Sequence, residues 1–386
     1  MKLLLLLPLL FLLACNSAED MANQVSQKYL DQYSNDITEQ EISDFTEETS
    51  ILFNESDASA LNDNLDIKAC FYRGHIANNG PAKLIQALEK TPIENFKKNV
   101  NLFDRLTSNF GRIDHVKTFI SEEGEHIIVY RGFSDAGINY FELLLGKKDD
   151  EIKIIDIYVA TSFEYISTTI YELLNNMNGG ADSKTISDSF QKVVEAISNE
   201  EYEQALEYLE LIDEGSPYRE TKLFMLYELN IYAQIDDDKY IEKIEQFKLK
   251  YGNNAGVNLM LIDYHLLKED YDASLECIAE LQDKYPEDHL INILKGTIYS
   301  LKKDYSNSIY YYEIAAKNYP DMLEIQDYLL VTYFEAGDYE NGFKTIDSLI
   351  EADYFTNEDA ELYLLSTYDN FAEWPEYQKW ARDKDI

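Results

Sequence analysis

The sequence predicts an α+β domain followed by an all-α solenoid of short repeats. Three observations predict it. Residues 38–111 carry helical periodicity. Residues 115–160 break into four β-rich segments joined by gaps too short for a parallel crossover. Beyond residue 180 the chain repeats with a step of 34. The 386 residues are 45% hydrophobic, which supplies packed cores, so the formal charge of −40 does not mean disorder. That charge argues against a nucleic-acid binder, which needs clustered Lys and Arg.

The N-terminus comes first. Met1-Lys2, an apolar run from Leu3 to Leu13 and Ala14-Cys15 have the layout of a secretory signal peptide. The run is too short for a mature spanning helix, and no later segment offers about 18 consecutive apolar residues. Leu12-Leu13-Ala14-Cys15 resembles the bacterial lipobox. The resemblance implies removal of residues 1–14 and lipidation of Cys15. An ordinary signal peptide with an incidental Cys is the alternative. Asn16 after the Cys resembles lipoproteins sent to the outer membrane. Two or three acyl chains satisfy the rule for stable anchoring. The expected location is therefore the bacterial cell envelope, lipid-anchored at the outer membrane, on either face of it. Losing Lys2 with the signal moves the charge from −40 to −41. Cys70 and Cys277 remain. One disulfide is arithmetically open to them in an oxidising compartment, but they fall in different predicted domains, and two separate buried thiols are expected.

Residues 15–36 are polar and are expected to form a tether. A domain over 37–176 follows. Thr38 and Glu41 have capping-box spacing. Pro81 and Pro92 suit the first turn of a helix. Ile93, Phe96, Val100, Phe103 and Leu106 recur at spacings of three and four, predicting an amphipathic helix over 92–110 closed by Gly111. Strands are predicted over 115–121, 126–133, 138–145 and 151–160. Their short gaps require an antiparallel meander. A helix over about 162–176 closes the domain. The order is loosely similar to NTF2-like and cystatin-like domains, which implies a curled sheet wrapped on a helix. Asn178-Gly179-Gly180 then marks a linker, 177–184.

Tyr271, Tyr305 and Tyr339 are 34 residues apart, each preceded by Asp (Asp270, Asp304, Asp338). Tyr251, Tyr285 and Tyr319 keep the same step, and so do Pro286 and Pro320. This period resembles the tetratricopeptide repeat, a helix–turn–helix unit. The match is best over 289–320, on Gly296, Tyr299, Tyr305, Ser308, Tyr312, Ala315 and Pro320. About five TPR-like units are expected over 185–354. The pattern departs at Tyr240, where a small residue is expected, and at Tyr354, which replaces the Pro. Of the 31 Tyr, 23 follow residue 180, so the tyrosine excess belongs mainly to the repeats. Residues 355–386 form a helical cap, broken by Pro375, with Trp374 and Trp380 packed on the last unit.

No sharp catalytic motif occurs. His75, His115, His126, His265 and His289 make neither H-E-x-x-H nor a His–Cys cluster, so no catalytic residue, metal or cofactor is assigned. Asp114, His115, His126, Arg131 and Asp156 lie on or beside the strands. They would serve acid–base work if a pocket gathered them, or sit on a polar face and at strand ends. The repeat resemblance implies an extended concave groove lined by first helices. It places Tyr232, Asp263, Leu266, Thr297, Ser300, Asp327, Val331 and Phe334 there, the apolar ones alternatively covering neighbouring helices. The Lys/Asn/Arg clamp of some TPR proteins is absent. The expected function is a membrane-tethered scaffold, not an enzyme, binding another envelope protein, with a basic segment suited to its acidic groove. A surface glycan- or nutrient-binding lipoprotein is the alternative. An enzyme using a pocket in the α+β domain is the second.

Overall fold

The computed structural model describes residues 6–54, 60–90, 102–107, 110–134, 137–162, 164–177, 183–251, 258–367 and 371–384. The chain divides into two units, Met1–Tyr264 and His265–Ile386.

In the first unit, the strands β1 (Arg112–Ile120), β2 (His126–Ser134), β3 (Gly137–Lys148), β4 (Glu151–Val159) and β5 (Glu164–Tyr165) form one sheet in that order. Every neighbouring pair is antiparallel, which is the expected meander. The turns show why. Gly124 takes φ +81° where the Gly124 amide donates to the Ser121 carbonyl. Asp149 and Asp150 both adopt positive φ, a conformation that Asp tolerates and that two-residue hairpins demand. The two-residue β5 was not foreseen, because a strand so short has no period to read.

One sheet face supplies Ile128, Tyr130, Phe141, Leu143, Ile154 and Ile157 to a core. The helices α2 (Glu39–Asn54), α3 (Leu61–Asn64), α4 (Ile67–Ala77), α5 (Ala82–Lys90) and α6 (Leu102–Thr107) supply much of the rest, including Phe53, Leu61, Phe71, Leu84 and Phe103. Of the helix predicted over 92–110, residues 92–101 and 108–109 lie outside the described residues, with Ile93, Phe96 and Val100 among them; Phe103 is buried as the period requires. The predicted capping box forms: the Thr38 amide donates to Glu41 Oε2 at 2.9 Å.

The segment read as a tether is different. Helix α1 runs Leu6–Leu30, and Ala22 and Ser26 are buried in the domain. Ser26 Oγ lies 3.2 Å from His75 Nδ1 on α4, and Tyr29 and Leu30 pack on the core. The buried side of α1 uses small and hydroxylated residues, which carry no apolar stripe for a sequence reading to detect.

Helix α7 (Ile166–Met177) ends the α+β part. Most of the predicted linker, 178–182, lies outside the described residues. Lys222 and Glu164, from opposite sides of it, form an ion pair at 3.1 Å. Helices α8 (Ser183–Ser198), α9 (Tyr202–Glu210), α10 (Lys222–Ile235) and α11 (Asp237–Tyr251) follow, and α12 spans Asn258–Leu267.

The second unit stacks α13 (Tyr271–Lys284), α14 (Ile291–Leu301), α15 (Tyr305–Asn318), α16 (Leu323–Glu335), α17 (Tyr339–Glu351), α18 (Asn357–Thr367) and α19 (Pro375–Asp383). The 34-residue step is physical: α13, α15 and α17 begin at Tyr271, Tyr305 and Tyr339. The Asp before each tyrosine is an N-cap, accepting from Ala273, Asn307 and Asn341 amides respectively. The residue before each cap, Glu269, Lys303 or Gly337, takes positive φ to turn the chain. Asp236 caps α11 in the same way, through the Lys239 amide at 3.0 Å. Cys70 and Cys277 are both buried thiols with no disulfide between them.

Candidate functional site

The strand residues weighed for acid–base work do not converge. Asp114 and Arg131 are register partners and form an ion pair, to which Arg112 Nε adds a contact at 2.7 Å. His115, one residue on, is the partner of Tyr130 and bonds Thr118 through Nε2 at 3.0 Å. Neighbouring strand residues point to opposite faces, so His115 and Arg131 lie on opposite sides of the sheet. His126 Nε2 meets the Asn35 carbonyl at 2.9 Å. Asp156 is almost fully buried and committed elsewhere. Its Oδ1 accepts the Ile157 and Ser167 amides at 2.9 and 3.1 Å, and its Oδ2 accepts Arg73 Nε at 3.2 Å. Arg73 also reaches Glu125 at 2.8 Å. Burial pushes the Asp156 carboxyl up to about 6, while its neighbours Asp156 and Glu125 hold Arg73 charged. Desolvation outweighs pairing at the carboxylate. The cluster braces α4 and α7 against β4. Among the described residues no group of three His, Cys, Asp or Glu side chains is arranged to hold a metal ion.

The repeat surface is the other candidate. In the first unit, Tyr232 on α10 is buried, with Lys239 over its ring at 5.2 Å. It is therefore core, a correction to its placement in the groove. Asp263 on α12 is exposed, yet protein surrounds the carboxyl closely enough to push it up to about 6. Tyr240 lies within its field, which adds to the rise of the phenol.

In the second unit, Leu266, Thr297, Ser300, Asp327 and Val331 are half-buried. Phe334 is 3% exposed and belongs to an aromatic core with Phe343 and Phe371, the second correction. The half-buried residues are held in place by their neighbours. Thr297 Oγ1 bonds the Tyr312 hydroxyl at 3.0 Å, and the Tyr312 ring stacks on Tyr328 at 5.5 Å. The Tyr363 hydroxyl donates to Asp327. Leu301, at the end of α14, is 51% exposed. These side chains are of mixed apolar and hydroxyl character, with one carboxylate, Asp327, among them.

Sequence reasoning missed a tyrosine cluster beside this face. Tyr299 stacks on Tyr311 at 5.4 Å and 8°, Tyr310 packs edge-on against Tyr311, and Lys295 and Lys302 lie over the rings. Tyr310 is 56% exposed. The run Tyr310-Tyr311-Tyr312 was its one visible signal, absorbed by the repeat register.

No protein-family model and no curated protein matches the sequence. The chain is similar to solved structures of MamA. "MamA MSR-1 C2" shares 16% identity over 44% of this chain and 98% of that one, with a TM-score of 0.34. "MamA AMB-1 C2221" shares 15% over 43% of this chain and 97% of that one, also at 0.34. What the chain presents is an α+β domain with an antiparallel sheet, followed by paired helices in a 34-residue register.

Proposed function

We propose that this chain is a lipid-anchored scaffold of the bacterial outer membrane that binds another envelope protein. Binding uses the first-helix face of its repeats. The observation that carries the reading is the half-buried face of Thr297, Ser300, Asp327 and Val331 on regularly spaced helix pairs. Such stacked pairs expose extended surface and no enclosed chemistry. The charge of −40 favours a partner with a basic segment and speeds its encounter. Cys15 supplies the anchor, and residues 1–14 are the signal.

The test is crosslinking in the native host followed by mass spectrometry of captured proteins. The captured partner should carry a Lys/Arg-rich segment, and its affinity should fall as salt rises. Equal binding from low to high salt, by a partner without a basic patch, removes the electrostatic part of the reading. Loss of binding in Val331→Asp and Thr297→Lys variants would place the contact on this face.

One observation favours a second reading. The exposed Tyr310 ring beside the Tyr299–Tyr311 stack is a shelf on which a sugar ring can lie. A glycan array with the wild type and Tyr310→Ala separates the two, since only the glycan reading predicts a signal that the substitution abolishes.

A further inference from the structure

Helix α1 enters the folded domain almost at once after Cys15. Among the residues whose side chains are described, Ala22 is the first that is buried, and the six residues Asn16–Met21 separate it from the expected site of lipidation. As helix these six residues span about 9 Å, and fully extended about 20 Å. The domain end of α1 is not free to swing. Asn23 Nδ2 donates to Asn79 at 3.0 Å, Ser26 meets His75, and the Tyr29 hydroxyl donates to Asp66 at 2.8 Å.

One exposed flank of α1, about a quarter-turn from its buried side, is apolar where solvent would favour charge; the side opposite the buried one carries Asp20, Gln24, Gln27 and Asp31. Met21 is 59% and Val25 39% exposed. They are one helical turn apart and share a face, and Lys28 follows three residues after Val25. Apolar residues in one turn with a cation at the end is the pattern of a helix face seated in a lipid headgroup layer.

We infer that the flank of α1 at Met21 and Val25 rests on the lipid surface and sets the orientation of the α+β domain on the membrane. The occupant of this face is the bilayer that holds the Cys15 acyl chains. The inference rests on the lipoprotein reading proposed above, because the short Cys15–Ala22 span is what brings the stripe to the bilayer. Two apolar side chains are too few to hold an acidic protein at a membrane unaided, so the acyl chains supply the affinity and the stripe sets the orientation.

The test uses the full chain, expressed with its signal in a lipoprotein-processing host and placed in phosphatidylethanolamine/phosphatidylglycerol vesicles. Met21→Cys and Val25→Cys are labelled separately with an environment-sensitive thiol fluorophore. The thiols of Cys70 and Cys277 are buried and Cys15 is blocked by its lipid. Both labels should show blue-shifted emission that is lost to a quencher carried near the headgroups. The Cys15→Ser form should stay in the supernatant with water-like emission. Vesicle-bound, acylated protein whose two labels both remain water-like would overturn the inference while leaving the anchor intact. An N-terminal peptide without acyl mass at Cys15 overturns the anchor and the inference together.

Discussion

The Tyr29 hydroxyl donates to Oδ2 of Asp66 at 2.8 Å, joining α1 to α4 across 37 positions of sequence. The Tyr33 hydroxyl donates to the same oxygen. The other oxygen, Oδ1, accepts the Lys68 and Ala69 amides at 2.9 and 3.0 Å and caps α4. One carboxylate therefore starts a helix and fastens another. Burial and the nearby Asp66 charge raise both phenols far above the usual tyrosine range, so they remain donors through any physiological pH.

Asp66→Ala removes the cap and strands two hydroxyls. The expected loss is about 2–3 kcal/mol, from roughly 1 for the cap and about 1 for each half-buried hydroxyl, less some rebonding to water. Asp66→Asn keeps the cap acceptor and should lose less. Hydrogen exchange of α1 and α4 amides reads this directly. Unchanged protection of α1 in Asp66→Ala would show that its packing, not this bond, holds it.

Asp156 makes stability depend on pH. Its folded pKa, pushed up to about 6, exceeds the unfolded value of 3.8. The folded state therefore binds the extra proton between those values, and stability falls as pH rises through that window. The contribution is roughly 3 kcal/mol at most. The other carboxylates titrate too, so the diagnostic is a difference between proteins. Asp156→Asn still accepts the Ile157 and Ser167 amides, and should flatten the decline from pH 4 to 7 in urea unfolding followed by β4 exchange. Parallel pH profiles for wild type and variant would refute the assignment.

Much of the fold was legible because its signals are local. The meander shows in segments rich in Ile, Val, Tyr, Phe and Leu and in short gaps such as Glu122–Gly124. The repeat step shows because Asp270, Asp304 and Asp338 each cap a helix, a duty fixed by the neighbouring backbone. What was not legible depends on partners distant in sequence. Phe334 has the register of a groove residue, but Gly342 leaves room for its ring and Phe343 and Phe371 cover it. Residues 15–36 read as tether because Ser26 is buried by bonding to His75, which polarity alone conceals. Of the candidate surface, Thr297 and Ser300 lie on α14 and Asp327 and Val331 on α16, all half-buried; the binding test decides whether they meet a partner.

The two glycines at small positions of the repeat should respond differently to alanine. A Cβ on Gly296 would lie 2.6 Å from the Tyr312 ring, which is buried, bonded to Thr297 and stacked on Tyr328. That ring has nowhere to move, and Ser308 Oγ donates to the Gly296 carbonyl at 2.8 Å, holding the helices at close approach. Overpacking of this kind costs about 1–3 kcal/mol and exceeds the helix-propensity gain of roughly 1. At Gly342 the nearest atoms, on Phe334, are 3.0 Å away, so the two terms nearly cancel. Gly296→Ala should lower the urea midpoint and Gly342→Ala should leave it close to wild type. Equal effects would mean that the close approach at Gly296 is not needed.

The C-terminal helix completes the second unit through Trp380. Its indole Nε1 donates to Asp347 at 2.8 Å, and its ring stacks on Phe343 at 5.4 Å and 20°. Lys384 reaches the same Asp347 oxygen at 3.0 Å. Phe371, Trp374 and Tyr377 close the cluster around the last repeat. In this cluster α19 covers the apolar face of α17, at Phe343 and Ile346. Trp380→Ala should therefore cost about 3–5 kcal/mol through the cavity it leaves. Trp380→Phe keeps most of the packing and loses the bond to a carboxylate, about 1.5–3 kcal/mol. The chain has two tryptophans, Trp374 and Trp380, so emission in Trp380→Ala comes from Trp374, which touches the same cluster. If α19 acts as a cap, loosening should spread inward, with amide protection falling first in α18 and α17 and least in α14. Loss of protection confined to α19 would instead make this helix an appendage, and the last repeat stable without it.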